Sequence, residues 1–416
     1  MKVAISNHNY YSLRSDLMKN TLAPLLASFC LLIFVHSTLG ETPSVAAEVN
    51  APAKLPQIVA RDPAEHGLLC RWDGKTVMLV QGTPEQMGAA QGALLKDQVF
   101  KLTKRTIYLV GSLDTLRGET WFFDRMDEIQ RRTSPHIPPR FFAEIDAMSQ
   151  AAGMSQRDGR FANLFPERFH CSGVAVRGTA SPDGRVYHAR VLDYMSDINL
   201  QSCAVIQVYM PEKYNAWVSA GYAGFVGTVT AMNEKGLAVG EMGGRGEGDW
   251  DGTPMSLLLR DVMERANNVE EALEILKTTP RTCEYYYVLS DKSRNIVGVR
   301  ATPKELIVLK PGEQHPLLPH VPEDTVMISG GDRATALSQR LQENHGKIDA
   351  DKLIELIKRP VAARANLHNV VFSPETLDLW IADAGKFTPA CDERYARCNL
   401  GELIRFYKMT SAAKEK

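Results

Sequence analysis

The alternation of apolar and polar residues is clearest between residues 171 and 194, where it predicts a β-hairpin. In CSGVAVRG, Val174 and Val176 alternate with small or polar residues, and the returning VYHARVLD is rich in β-branched and aromatic types. The intervening TASPDG contains the Pro-Asp-Gly sequence of a turn. With the Pro-Asp pair central, cross-strand partners have numbers that sum to about 365, which places Cys171 opposite Tyr194 to within about two positions.

Capping signals and helical periodicity predict helices on both sides of this hairpin. The run TPEQMG has Thr83 as N-cap, Pro84 at the first helical position and Gln86 as capping-box partner. A second helix, PPRFFAEIDAMSQAAG, has one apolar face and ends at Gly153. Two helix pairs follow, TPMSLLLRDVMERA with NVEEALEILKTT and ATALSQRLQ with DKLIELIKR.

The remaining apolar runs predict strands. They are CAVIQVYM, FVGTVTAM, LAVGE, EYYYVLSD, IVGVRA, LIVLK, NVVFS and LDLWIA. Strands interleaved with helix pairs are typical of two antiparallel sheets that pack together under helices. The pattern therefore predicts an α+β fold.

The N-terminal residues follow the pattern of an export signal. Residues 21–40 form an apolar stretch that is preceded by a lysine and followed by small residues, as in a secretory signal peptide. We therefore predict a signal peptide over 1–40, starting at Met1 or Met18, then a linker over 41–60, and a periplasmic or extracellular location. An N-terminal membrane anchor is the alternative, because about 18 apolar residues can span a bilayer.

Composition adds two limits. The 416 residues are 44% hydrophobic and 23% charged, with a formal net charge of −1, which fits one large globular domain and gives no reason to expect nucleic-acid binding. Export would place the cysteines in an oxidising compartment. Cys391 and Cys398 are the local disulfide pair that the sequence favours.

Cys171 begins the hairpin, and three chemical interpretations of it are open. In a Cys–His pair an imidazole deprotonates the thiol, and His170, His188, His345 and His368 are the candidates. A metal site lacks a spaced Cys/His cluster to support it. In the third interpretation Cys171 is an N-terminal nucleophile, and its α-amine, with an ordinary pKa of about 8, is the base.

The third interpretation requires cleavage between His170 and Cys171, and it gives the returning strand a role. Asp193 would orient the new amine, and Arg190 would favour the thiolate. Residues three apart on a regular strand point to opposite faces. We therefore expect a bulge or a sharp twist that brings Arg190 and Asp193 into one site.

This arrangement resembles the autoproteolytic N-terminal nucleophile hydrolases, specifically the acyltransferase/hydrolase family typified by isopenicillin N acyltransferase and related to choloylglycine hydrolases and penicillin V acylases. LDY with Asp193 matches the acidic residue that ends the second strand, and Arg190 with Asp193 matches the Arg-x-x-Asp of the bile-salt hydrolases. TAMNEKGLAVGE resembles the Asn-Glu-x-Gly-Leu turn of both groups. QGTPEQMGAAQGALLK and FFAEIDAMSQAAGMSQRDGRFANLFPERFHC resemble the propeptide helices.

The resemblance extends from about residue 65 to residue 385, and it implies a four-layer αββα sandwich. In that fold, residues 61–416 form one domain. It comprises a propeptide or small-chain segment over 61–170 and a nucleophile-bearing chain over 171–416.

The resemblance also implies site residues. The three catalytic ones are Cys171, Arg190 and Asp193. Arg333 is expected near a substrate carboxylate, and Tyr222 and Phe225 in the acyl pocket. The family's Asn that donates to the oxyanion is missing from GEMGGRGEG, so the backbone N–H groups of Gly243 and Gly244 are the candidate donors.

The sequence thus predicts an exported, self-processing cysteine enzyme that cleaves or transfers the acyl group of an amide, ester or thioester through acyl-Cys171. The expected partners are a small-molecule acyl substrate, with acyl-CoA or an amine acceptor as candidates, and the two self-cleaved fragments for each other. No nucleic acid, metal or cofactor is expected. Two alternatives stay open: a lipid or N-acyl amide hydrolase, phospholipase B-like or ceramidase-like, and a non-catalytic exported binding protein on the same fold.

Overall fold

A computed structural model describes residues 56–117, 121–164, 171–194, 196–244, 248–316 and 318–412. They belong to one compact unit, Ala53–Lys416. The predicted signal peptide, most of the predicted linker and His170 lie outside the described residues. No helix among the described residues is long and apolar enough to cross a membrane.

The strands form two sheets. In chain order they are β1 Gln57–Arg61, β2 Gly67–Trp72, β3 Lys75–Gly82, β4 Ser172–Gly178, β5 Gly184–Asp193, β6 Ala204–Pro211, β7 Trp217–Tyr222, β8 Thr230–Asn233, β9 Leu237–Gly243, β10 Tyr285–Asp291, β11 Ile296–Ala301, β12 Leu306–Leu309, β13 Thr325–Ile328, β14 Asn366–Ser373, β15 Asp378–Asp383 and β16 Ala396–Asn399. The first sheet has the order β1-β2-β3-β6-β7-β8-β9-β10-β11-β12, and the second has the order β13-β4-β5-β14-β15-β16. Strands β3 and β6 are parallel neighbours, whereas β4, β5 and β14 run antiparallel.

The α-helices are α1 Pro84–Leu94, α2 Lys96–Thr103, α3 Gly111–Arg117, α4 Phe122–Thr133, α5 Pro139–Ala152, α6 Gln156–Leu164, α7 Met255–Arg265, α8 Val269–Thr278, α9 Gly331–Glu343, α10 Ala350–Leu356 and α11 Leu400–Ala412. A π-helix, Lys104–Val110, joins α2 to α3. The predicted capping box at Thr83 is present at the start of α1. The predicted end of α5 at Gly153 is confirmed as well, and the backbone of Gly153 has the left-handed conformation.

The two sheets pack face to face, with β4 and β5 against β9 and β10. Helices α1, α7 and α8 contact the first sheet, and α10 contacts the second. Buried side chains of both sheets, Val208 and Met232 from the first and Phe372 and Ile381 from the second, share one cluster. Burial of each such side chain contributes about 1.5 to 3 kcal/mol. The predicted αββα sandwich is therefore confirmed.

The predicted hairpin is present as β4 and β5. Ser172 pairs with Val191 and Gly173 with Arg190, so partner numbers sum to 363, within the predicted margin. In the turn, the Asp183 carboxylate accepts a hydrogen bond from the Arg185 backbone N–H at 3.0 Å, the local contact that makes Asp a turn residue.

Three expectations differ from the structure. Strands β1 to β3, β7, β13 and β16 lie where no strand was predicted, and of FVGTVTAM only the last residues enter β8. The predicted Cys391–Cys398 disulfide is wrong, because all six described cysteines are free. Cys398 lies in the cluster between the sheets and Cys391 in the cluster on the outer face of the second sheet, so the sheet itself separates the two thiols.

Candidate active site

The alternation of side chains along β5 divides the hairpin between two faces. Ala189 and Val191 pack outward in a cluster with α9 and α10, whereas Leu192 packs between the sheets. Arg190 points between the sheets and Asp193 points outward. The expected bulge between them is wrong, because β5 is continuous and the register shift lies in β14 instead.

Between the sheets, the Cys171 thiol contacts a buried ion pair. Arg190 Nη2 donates to Cys171 Sγ at 3.4 Å and to Glu241 Oε2 at 3.4 Å, and Arg190 Nε donates to the Glu241 carbonyl at 3.0 Å. Arg190 and Glu241 are fully buried, and Cys171 is 7% exposed. Gly240 leaves room for them, since a Cβ there would lie 2.7 Å from Arg190 Cγ.

A buried histidine extends this network on the other side of the guanidinium. Arg190 Nη1 donates to His368 Nε2 at 3.5 Å, and Thr230 Oγ1 lies 2.9 Å from the same nitrogen. The Tyr222 hydroxyl lies 2.9 Å from His368 Nδ1, and the two rings stack. Burial, aided by the charge of Arg190, holds the pKa of His368 well below its ordinary value, so the imidazole is neutral.

On the outer face, Asp193 binds Arg333. Arg333 Nη2 donates to Asp193 Oδ2 and, at 3.1 Å, to Ser172 Oγ, and the Ala363 N–H donates to Asp193 Oδ1 at 3.1 Å. Burial raises the pKa of the Asp193 carboxyl, and the charge of Arg333 opposes that shift. Cys171 and Ser172 thus each contact an arginine: Cys171 contacts Arg190 between the sheets, and Ser172 contacts Arg333 on the outer face.

In the uncleaved chain, burial keeps the Cys171 thiol protonated. Burial raises the pKa of Cys171 to about 12, while Arg190 lowers it and the charges of Glu241 and Asp193 raise it. A hydrogen bond from the Asp193 backbone also lowers it. Burial raises the pKa of the Glu241 carboxyl, and the charge and hydrogen bond of Arg190 oppose that shift. The nucleophile therefore needs a base.

The predicted site residues are brought together unequally. Arg190 contacts Cys171 through its side chain and Asp193 does so through its backbone. Tyr222 belongs to the same buried network, and Arg333 is the partner of Asp193. The side chain of Phe225 packs against the main core cluster, outside the polar network.

Gly243 and Gly244, the predicted oxyanion donors, lie at the end of β9. Gly243 pairs with Tyr285 in the sheet. Gly244 lies against the backbone of Glu284, the residue before β10, since a Cβ on Gly244 would be 2.3 Å from the Glu284 carbonyl oxygen. Their role as donors stays a prediction.

The histidines considered as bases have other partners. His188 Nδ1 bonds Ser290 at 2.8 Å, and burial lowers its pKa to about 3. His345 is partly buried and bonds the Glu323 carbonyl at 3.1 Å. Within the described residues, no imidazole bonds the Cys171 thiol, and no group of three or more His, Cys, Asp or Glu residues could hold a metal ion.

Two residues of the network, Glu241 and Thr230, were not predicted from the sequence, and neither was the contact between His368 and Arg190. A signal was present, because Glu241 interrupts the apolar strand LAVGEMG and His368 interrupts NLHNVVFS. Charged residues are rarely fully buried unless they are paired, so a Glu within a buried strand indicates a partner such as Arg190.

A cavity of about 860 Å³ opens on the surface between α8 and strands β11 and β12. Its lining includes Leu273, Lys277 and Leu306, and none of the residues of the Cys171 network. It therefore adds nothing to the candidate site.

Comparison with known proteins supports the resemblance. Residues 179–315 match the family model of acyl-coenzyme A:6-aminopenicillanic acid acyl-transferase. The protein dcd1B of Dictyostelium discoideum is 23% identical over 335 residues, which are 71% of this chain and 66% of that protein. The N-acylethanolamine-hydrolyzing acid amidase of Oryctolagus cuniculus is 29% identical over 164 residues, 37% of this chain and 45% of the amidase. The chain thus spans just under two thirds of the length of dcd1B and less than half of the length of the amidase.

Among solved structures, the Caenorhabditis elegans N-acylethanolamine-hydrolyzing acid amidase ortholog matches with a TM-score of 0.39 and 15% identity, over 49% of this chain and 93% of the ortholog. The family model matches a segment that holds Arg190, Asp193 and Glu241. The resemblance to the isopenicillin N acyltransferase family, predicted from the sequence, is therefore confirmed over residues 179–315 by the family match.

Proposed function

We propose that this protein is an exported, self-processing enzyme that cleaves or transfers the acyl group of an amide through an acyl-Cys171 intermediate. The observation that carries this proposal is the 3.4 Å contact from the Arg190 guanidinium to Cys171 Sγ in a fully buried network with Glu241. A cation beside a thiol favours the thiolate, which is the nucleophilic form.

Self-cleavage would proceed as an N-to-S acyl shift. Cys171 Sγ attacks the carbonyl carbon of His170, the peptide C–N bond breaks as the C–S bond forms, and the thiol proton ends on the released amine. Water then hydrolyses the thioester, which returns the thiol and leaves a carboxylate on His170. Asp193, held by Arg333 on the outer face, is the anion available to the new ammonium.

Turnover would reuse the same groups. The free α-amine, with an ordinary pKa of about 8, takes the thiol proton and delivers it to the leaving amine. The thioester that forms on Cys171 goes to water or to an amine acceptor. This chemistry supplies the base that the raised pKa of the thiol requires.

Two structural features favour fragments that stay associated after cleavage. Strand β3, from the segment before Cys171, lies between β2 and β6 inside the first sheet. Arg260 of α7 also forms a buried ion pair with Glu144 of α5, at 2.6 Å. Separation would expose both, so residues 61–170 would remain as a permanent small chain.

The substrate class comes from the relatives. Several of them are named N-acylethanolamine-hydrolyzing acid amidases, so an N-acyl amide is the substrate we expect here. This is the N-acyl amide hydrolase that the sequence left open as an alternative.

A panel of N-acyl amides and acyl thioesters, with and without an added primary amine, tests the proposal. We expect fatty-acid release from N-acyl amides by the wild-type protein and none by Cys171→Ala, with Cys203→Ala as the matched control for loss of a buried thiol. Acylated amine as product would identify a transferase. Equal turnover by the Cys171→Ala variant, or no turnover of any panel member by a cleaved protein, would contradict the proposed enzyme.

A further inference from the structure

We infer that the Tyr222 hydroxyl is a hydrogen-bond donor of the active site, aimed by His368 at the negative oxygen that forms when Cys171 attacks an acyl carbonyl. The inference deepens the proposed function and rests on it for the reaction. It assigns a side-chain donor to a site in which the expected Asn is absent from residues 241–248.

The contacts of His368 indicate which of its two ring nitrogens carries the proton. A guanidinium has only donors, so the bond from Arg190 Nη1 at 3.5 Å requires a lone pair on His368 Nε2. The imidazole is neutral because burial and the charge of Arg190 disfavour a second proton. Its one proton therefore lies on Nδ1.

The Tyr222 phenol accepts the hydrogen bond that His368 donates. Nδ1–H of His368 lies 2.9 Å from the Tyr222 oxygen, so this oxygen accepts the bond and its own O–H must point elsewhere. Within the described part of the chain, His368 is the partner of this hydroxyl. Burial raises the pKa of Tyr222 well above its ordinary value, so the phenol keeps its proton for donation.

Tyr222 belongs to the same polar network as Cys171. Tyr222 is 9% exposed and lies in the same buried cluster as Cys171. One guanidinium joins them, since Arg190 reaches Cys171 Sγ through Nη2 and His368 through Nη1.

The chemistry of the reaction supplies the missing acceptor. Attack by Cys171 Sγ turns a carbonyl oxygen into an oxyanion, and a donor held in place before the reaction stabilises that charge more than it stabilises the ground state. A single such donor changes turnover by about 100- to 1000-fold. Thr230, also bonded to His368 Nε2, helps to hold the imidazole in this orientation.

Tyr222→Phe tests the catalytic part, because it removes one oxygen from a buried ring. We expect kcat for an N-acyl amide to fall about 100-fold or more with KM little changed. An acyl aldehyde, which forms a hemithioacetal with Cys171, should bind about 100-fold more weakly to this variant, whereas the matching primary alcohol binds equally to both proteins. Unchanged aldehyde affinity and unchanged kcat would overturn the inference.

Two controls separate a structural loss from the loss of a donor. Alkylation of Cys171 by iodoacetamide should proceed at the same rate in Tyr222→Phe and in the wild type if the network is intact. His368→Asn, which can still donate to Tyr222 from its amide, should keep more activity than His368→Phe, and equal activity of the two would contradict the positioning role.

The proton position is measured without turnover. The ¹⁵N chemical shifts of His368, assigned by its absence in His368→Asn, should show protonated Nδ1 and unprotonated Nε2. Protonated Nε2 would overturn the inference whatever the protein catalyses. Wild-type protein that shows this tautomer but hydrolyses nothing would instead contradict the proposed function alone.

Discussion

Two buried arginines, Arg260 and Arg190, are paired with buried glutamates in very different ways. Arg260 makes hydrogen bonds of 2.6 to 2.9 Å to Glu144, Glu264 and the Val226 carbonyl. Arg190 makes bonds of 3.0 to 3.5 Å to Glu241, His368 and the Cys171 thiol.

The two environments differ as well. Arg260 lies over the rings of Phe141, Tyr209 and Trp217. Glu241 Oε1, beside Arg190, has no hydrogen-bond partner among the described atoms, whereas both carboxylate oxygens of Glu144 accept hydrogen bonds from Arg260. Buried polar groups are normally satisfied, and exceptions concentrate at functional sites. We conclude that Arg260 holds two helices together, whereas Arg190 has bonds that can tighten around a substrate.

The largest predicted effect on stability comes from Arg260→Met. It leaves the Glu144 carboxyl buried without its partner, which costs about 3 to 5 kcal/mol in the free energy of unfolding. Urea denaturation measures this, and Arg260→Met with Glu144→Gln should recover much of the loss. A variant as stable as the wild type would refute the structural role of Arg260.

Arg190→Met should affect activity more than stability. We expect turnover of an N-acyl amide to fall by about 100-fold, as when one charge-stabilising donor is removed. Its free energy of unfolding should fall less than that of Arg260→Met, because its hydrogen bonds are longer. The double variant Arg190→Met with Glu241→Gln should regain stability and stay inactive. If it regained activity, Arg190 would be structural, like Arg260.

The pH dependence of Cys171 alkylation sharpens the assignment of Arg190. In the uncleaved chain the pKa of the thiol is raised to about 12, so the thiolate fraction and the alkylation rate should rise about tenfold per pH unit from pH 7 upward. Arg190→Met should slow alkylation at every pH in this range. The unfolded chain, with an ordinary thiol pKa of about 8.5, should level off near that pH. A folded chain that also levels off there would contradict the burial of the thiol.

The smallest effect is expected at an exposed pair on α4. Arg131 bonds Glu128 at 2.7 Å, and both side chains lie largely in solvent. Arg131→Met should leave the thermal unfolding midpoint and the turnover unchanged, because water replaces the lost contacts. A large decrease in the unfolding midpoint of Arg131→Met would show that loss of an arginine charge destabilises the protein even at an exposed site. That result would contradict the role we give to burial at Arg260.

Much of the fold followed from local patterns. The capping box at Thr83, the stop at Gly153 and the β4–β5 hairpin depend on neighbouring residues, and each is visible in the sequence. One local pattern was overlooked, because β2 and β3 form an antiparallel hairpin around Asp73 and Gly74, a dipeptide typical of tight hairpin turns. Only the parallel pairing of β3 with β6 joins residues far apart in the chain.

The site was predictable only in part, for a similar reason. Arg190 and Asp193 lie on one strand, so alternation places them on opposite faces, and the expectation of a bulge overlooked that the Asp193 backbone alone could reach Cys171. Glu241 and His368 come from β9 and β14, and only sheet packing brings them to Arg190. The sequence shows that such polar residues lie within apolar strands, but it does not show which residues they contact.

The central claim is that Cys171 becomes an N-terminal nucleophile, and mass spectrometry of the purified protein tests it most directly. We expect two fragments, one of which begins at Cys171, and an acyl adduct on that residue after brief exposure to an N-acyl substrate. An intact chain with no fragment beginning at Cys171, or an adduct on another residue, would contradict the account.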